Sequence, residues 1–190
     1  MKIFVNVLSV LRIVGAFALA PLLLEQMFMW AFVVFVAAAL TDWLDGFLAR
    51  RFNAVSKLGG VLDHMGDKFL ICIALIMMVM FLQIWPVIIP AIIMICRDLY
   101  VSGLRESAGA EKMELPVARG GKIKTVLQML ALSAMFLWIW AVNADWDSEF
   151  LTHDLLFVGI GALWLAMVSS LVSAGEYTVS FAKGLKKIKK

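Results

Sequence analysis

The chain has 190 residues, 63% of them hydrophobic and 16% charged, with a net charge of +3 and a mean hydropathy of +0.95. Soluble domains average about 45–50% apolar and about 25% charged residues, so the composition excludes an ordinary water-soluble globule and points to a membrane protein. No nucleic acid is expected among its partners.

Six apolar stretches predict membrane-spanning helices at 5–23, 28–49, 59–82, 86–107, 121–143 and 153–176, each near the roughly 20 residues that cross a hydrocarbon core. The first could pass for a cleavable leader, since Lys2 precedes it and Ala18-Leu19-Ala20 resembles a processing site. Arg12 interrupts its apolar run and Pro21 stands at the cleavage position, so the segment is expected to be retained. Cys72 and Cys96 lie in apolar runs and read as small buried thiols, not as a disulfide or metal ligands.

Placing the N-terminus in the cytoplasm and alternating the spans puts all 17 basic residues on one side. The opposite loops then hold only Glu25, Asp145, Asp147, Glu149, His153 and Asp154 as ionisable residues, as the positive-inside rule requires. The expected architecture is an all-α integral membrane protein with six transmembrane helices. Both termini and the active-site cavity face the cytoplasm. One domain covers residues 1–182, and a basic tail, 183–190, meets anionic headgroups at about 1 kcal/mol per charge.

The second and third spans carry Asp42-x-x-Asp45-Gly46-x-x-Ala49-Arg50, then Gly59-x-x-x-Asp63-x-x-x-Asp67. On helices, Asp42 and Asp45 share one face, as do Asp63 and Asp67. Carboxylates at membrane depth need a cation or a proton pathway. Two such faces make a box of oxygen ligands suited to Mg²⁺ or Mn²⁺. Zinc does not fit, because sulfur and imidazole are absent apart from His64, which reads as a rim or packing residue. Simple helix capping leaves the mutual repulsion of the acids unexplained. A cation transporter would not demand Gly46, Ala49, Arg50 and Gly59 at their positions. Small residues there admit a bulky ligand against the helix, and Arg50 offers a fork for phosphate oxygens.

The pattern resembles the signature of the CDP-alcohol phosphotransferases, D-x2-D-G-x2-A-R-x8-G-x3-D-x3-D, with every fixed position filled from Asp42 to Asp67. The resemblance implies a homodimer of six-span subunits in which the first three acids bind two Mg²⁺ or Mn²⁺ ions. Asp67 corresponds to the general base that activates the acceptor hydroxyl, and it also shares in metal binding. The same resemblance sets Asn6, Ser9, Gly46, Ala49, Arg50, Ser56 and Gly59 against the CDP group.

Spans four and five add Arg97-Asp98, Ser102-Gly103-Leu104-Arg105-Glu106 and Gly121-Lys122-Ile123-Lys124-Thr125. So many cations are hard to hold together without an anion, so a phosphorylated acceptor is expected at Arg97, Arg105, Arg119, Lys122 and Lys124. Snorkelling and Arg–Glu pairing are the alternative explanation for any single one of them. The cluster is similar to R-E-x5-S-x-L-R-E and G-K-x-K-T-x2-Q-M of the subgroup that makes phosphatidylglycerol phosphate, with Asp98 in place of Glu. Asn6-x-Leu8-Ser9-x-x-Arg12 is similar to that subgroup's N-x-L-T-x-x-R. Two departures are His64 where many members have proline, and the missing proline near Asn6. The expected reaction carries a phosphatidyl group from CDP-diacylglycerol to sn-glycerol 3-phosphate in a membrane, a bacterial inner membrane by this reading. Within the family the alternative is another acceptor, such as an inositol phosphate, serine or phosphatidylglycerol. The sixth span and the tail carry no motif.

Overall fold

A computed structural model of the chain describes residues 2–52, 57–111, 113, 119–144 and 150–188. These residues form α1 (Lys2–Leu24), α2 (Phe28–Phe52), α3 (Lys57–Leu82), α4 (Trp85–Ala110), α5 (Arg119–Asn143) and α6 (Leu155–Ile188), with one π-helical turn at Phe150–Asp154 and no strand among them. Five helices carry apolar stretches long enough to cross a bilayer: Val7–Leu24, Met65–Leu82, Trp85–Ala110, Ile123–Asn143 and Leu155–Lys186. Among the described residues, α2 carries a shorter one, Phe28–Thr41. The protein is an all-helical integral membrane protein, as its composition requires, because only structures that satisfy their own backbone hydrogen bonds survive in lipid.

The expected spans match α1 to α5 within a few residues. The sixth does not stop at 176, since α6 runs on without a break to Ile188 and takes up most of the basic tail. Helical hydrogen bonds need no apolar surroundings, and lysines on a helix emerging from lipid keep their charges in water. Cys96 also departs from expectation: it is exposed on α4, while Cys72 is half-buried, and neither forms a disulfide.

The chain packs as two compact units, Met1–Gln83 with Leu132–Gly159, and Ile84–Ala131 with Ile160–Lys190. In the first, Ser9, Arg12, Ala16, Leu19 and Leu23 are buried at alternating spacings of three and four, so one stripe of α1 faces its neighbours. α1 packs along both α2 and α3. Phe17 meets Phe69 with ring centroids 5.7 Å apart, and Phe28 meets Phe81 edge-on at 5.9 Å. α1 and α3 therefore run the same way, with α2 antiparallel to both. Phe35 of α2 stacks on Phe136 of α5 at 5.0 Å.

The turns at one end of this unit are tight. α1 closes with Gln26 at φ 59°, its N–H on the Leu23 carbonyl, and the Met27 N–H reaches back to Leu22. These are the paired bonds of a Schellman motif, built on a left-handed glutamine where glycine is usual. α3 ends in the same way at Gln83, φ 48°, with a single bond to the Val79 carbonyl. Apart from Glu25, the acids and bases of the first 68 positions collect at the other end.

In the second unit α4 and α6 lie side by side and parallel, since their contacts advance together: Pro86 with Trp164, Arg97 with Ser170, Tyr100 with Thr178. Sequence chemistry explains the first. Pro90 lies inside α4 and has no N–H, so the Pro86 carbonyl one turn earlier loses its helical donor. The Trp164 indole Nε1–H of α6 donates to that carbonyl at 2.9 Å. Trp164→Phe keeps the ring against Trp85, whose centroid is 6.3 Å away, but strands the carbonyl in lipid. The expected loss is about 1 kcal/mol of stability, read as a lower thermal unfolding midpoint in detergent. An unchanged midpoint would show that the bond contributes nothing.

Candidate active site

α2 is unbroken helix through positions 42, 45, 46 and 49, and α3 through 59, 63 and 67. The helices that the spacing argument requires are therefore present, and each pair of acids falls on one helix face by register. For Asn6, Asp42, Asp45, Gly46, Ala49, Arg50, Gly59, Asp63, His64, Arg119 and Lys122 the structure describes the helix and not the side chain. Ser56 lies outside the described residues.

Asp67 is described and half-buried, with its Oδ1 atom buried. Just before it, Gly66 marks the close approach of α1. A Cβ at Gly66 would stand 3.3 Å from Ile13 Cγ1, 3.6 Å from Arg12 Cδ and 3.6 Å from the Ser9 carbonyl oxygen. A side chain there would require Ile13 to give by a few tenths of an ångström, so the close packing of α1 offers a reason for Gly66. Ser9 is fully buried at this contact, and Arg12 is only 1% exposed. A buried guanidinium in a membrane helix calls for negative charge nearby, and this end of the unit is where the acids of α2 and α3 collect. The sequence showed Arg12 only as part of a motif; the structure buries it beside the residue preceding Asp67. The donor set is carboxylate oxygen on two neighbouring helices, which fits a hard divalent cation such as Mg²⁺ or Mn²⁺.

The second unit gathers the residues expected to meet an acceptor phosphate, and it separates them by role. Arg97 donates through Nε to the Ser170 carbonyl at 2.9 Å, through Nη1 to Asp98 Oδ1 at 2.8 Å, and through Nη2 to the Ser173 hydroxyl. Lys124 of α5 donates to both carboxylate oxygens of Asp98. The Arg97 and Lys124 side chains are each 9% exposed, so this is an interior ion triad carrying one net positive charge. Arg97 thereby fastens α4 to α6, and Asp98 holds Lys124. Arg105 is different: it is exposed, and the salt bridges among the described residues do not include it. Its Nη2 donates to the Tyr177 hydroxyl at 2.7 Å, and its guanidinium carbon lies 5.0 Å from that ring's centroid. Ser170, Ser173 and Tyr177 all come from α6, the helix that offered no motif. They recur at spacings of three and four along α6, a helical spacing that places them near one face.

Known proteins resemble this chain over most of its length. The family model for CDP-alcohol phosphatidyltransferase matches residues 2–174. The chain is 34% identical over 156 residues to a protein of Pectobacterium atrosepticum, covering 79% of each. It is 37% identical over 149 residues to one of Shigella flexneri serotype 5b, covering 77% of this chain and 75% of the other. It is also 37% identical over 157 residues to one of Salmonella typhimurium, covering 80% and 78%. Each of the three relatives is named CDP-diacylglycerol–glycerol-3-phosphate 3-phosphatidyltransferase. With a family match over residues 2–174 and relatives at 34–37% identity over about three quarters or more of each chain, the chain belongs to the CDP-alcohol phosphatidyltransferase family.

Proposed function

We propose that this protein transfers the phosphatidyl group of CDP-diacylglycerol to sn-glycerol 3-phosphate, giving phosphatidylglycerol phosphate and CMP. The reading rests on the basic residues that the sequence concentrates on α4 and α5, with Arg105 exposed and held by an uncharged phenol, and the names of the relatives support it. The termini and the active-site cavity face the cytoplasm, where the soluble acceptor is met, and the 1–182 domain works as one of two subunits in a bacterial inner membrane.

Asp42, Asp45, Asp63 and Asp67 would hold two Mg²⁺ or Mn²⁺ ions, which when bound neutralise the pyrophosphate and stabilise charge on the attacking and leaving oxygens. Gly46, Ala49 and Gly59 leave room for the CDP group, with Asn6, Ser9, Arg50 and Ser56 as its polar contacts. Asp67 accepts the proton of the acceptor hydroxyl as that oxygen attacks the phosphorus bearing the diacylglycerol ester. The bond from this phosphorus to the bridging oxygen breaks, and CMP departs with that oxygen. Arg105, Lys122 and Lys124 receive the acceptor's phosphate, with Arg119 as a further candidate and Arg97 acting through Asp98.

A charge-assisted contact to phosphate contributes about 1.5–3 kcal/mol. Arg105→Gln and Lys122→Gln should therefore each raise the glycerol 3-phosphate KM by roughly 10- to 150-fold, with little change in the KM for CDP-diacylglycerol. Free glycerol should be a poor acceptor and nearly indifferent to either change. Steady-state kinetics with varied acceptor checks this, and a native acceptor KM in both variants would remove the phosphate site from the proposal.

A further inference from the structure

The two arginines of α4 are held by opposite chemistry. Arg97 is bound by a carboxylate, a serine hydroxyl and a backbone carbonyl, so much of its charge is answered within the protein. The described partner of Arg105 is an uncharged phenol, Tyr177, reached both by a hydrogen bond and across the ring face. A neutral aromatic partner can orient a guanidinium without cancelling its charge. Tyr177 is itself well fixed: it is 3% exposed and buried with Val101 of α4 and Ala174 of α6, against Leu104. One buried ring thus restrains an exposed arginine whose remaining N–H groups exceed what a single phenol can accept.

We propose that Tyr177 is a positioning residue for acceptor recognition, pre-ordering Arg105 for the acceptor's phosphate. This rests on the reading of Arg105 as a phosphate contact. An arginine side chain loses considerable rotamer freedom when it is immobilised. A clamp that imposes this restriction before the acceptor arrives improves affinity without adding a contact. The benefit falls on the phosphate-bearing acceptor and not on the CDP lipid. Tyr177 lies three residues beyond the end of the family match at 174, so it stands outside the stretch on which the family assignment depends.

The test compares Tyr177→Phe, Tyr177→Leu, Arg105→Gln and the double variant Arg105→Gln/Tyr177→Phe, purified whole in detergent with CDP-diacylglycerol. Phenylalanine keeps the ring and its packing and removes only the hydroxyl. It should raise the glycerol 3-phosphate KM by roughly three- to tenfold, as for one lost hydrogen bond to a charged group in partial contact with water. The CDP-diacylglycerol KM should hold, and kcat should change less than the acceptor KM. Tyr177→Leu, which loses the ring as well, should raise the acceptor KM further. In the Arg105→Gln background the phenylalanine change should add less than about twofold, since the side chain it orients is gone. Inorganic phosphate, used as a competitor of the acceptor, should lose potency in parallel. If Arg105→Gln raises the acceptor KM while Tyr177→Phe and Tyr177→Leu do not, the positioning role is overturned and the phosphate site stands. If the tyrosine variants lower kcat, both affinities and the unfolding midpoint together, Tyr177 is a packing residue and the proposal fails. If Arg105→Gln itself leaves the acceptor KM unchanged, the phosphate reading of Arg105 and the role of Tyr177 fall together.

Discussion

Asp42→Asn, Asp45→Asn and Asp63→Asn are each expected to lower turnover by orders of magnitude while the protein remains folded. The amide keeps the size of the carboxylate and removes its charge, so a divalent cation is held less strongly and the pyrophosphate loses its neutralisation. Positions 42 and 45 lie within the long helix α2, and 63 within α3, where an isosteric change leaves backbone hydrogen bonding intact. Chelation of the native protein should abolish activity, and added Mg²⁺ or Mn²⁺ should restore it. Titration of the variants with metal should move the half-saturating concentration upward. Full activity in excess chelator would remove metal from the mechanism.

Asp67→Asn is expected to have an effect as large, with a different signature. Asp67 is half-buried on α3 and follows Gly66, which packs against α1, and its proposed work is to take a proton from the acceptor. The asparagine cannot accept that proton, so kcat should fall strongly. The other three acids still hold metal, so CDP-lipid binding should stay closer to native than in Asp42→Asn. Comparing kcat with CDP-diacylglycerol binding in the two variants separates base from ligand. A variant that keeps most of its turnover would show that Asp67 is not the base.

Much of this protein can be read directly from its sequence because membrane insertion makes hydropathy decisive. The stretches expected at 28–49, 59–82 and 86–107 appear as the helices Phe28–Phe52, Lys57–Leu82 and Trp85–Ala110, the last two with apolar runs long enough to cross a bilayer. The aspartate motif is equally legible, since its spacing within each helix already gives its geometry. The sequence says least where residues distant along the chain meet. Nothing local in α6 announces that Trp164 completes the hydrogen bonding broken by Pro90, or that Tyr177 holds Arg105. The charge cluster of α4 and α5 was visible as a cluster, but its division was not. Asp98 answers Arg97 and Lys124 together, a pairing set by the way α4 and α5 pack. Gly66 looked like an irregularity beside His64 until its neighbours on α1 gave it a purpose. The end of α6 was misjudged because polarity marks where lipid stops, not where a helix stops.

Acceptor identity is best measured on the purified native protein, by following CMP release from CDP-diacylglycerol with Mg²⁺ or Mn²⁺ and one added alcohol at a time. Glycerol 3-phosphate should support rapid release, with phosphatidylglycerol phosphate as the lipid product. Glycerol, serine, an inositol phosphate and phosphatidylglycerol should give little above background. Faster release with an inositol phosphate, or with any of the other alcohols, would contradict the assignment of glycerol 3-phosphate as the acceptor.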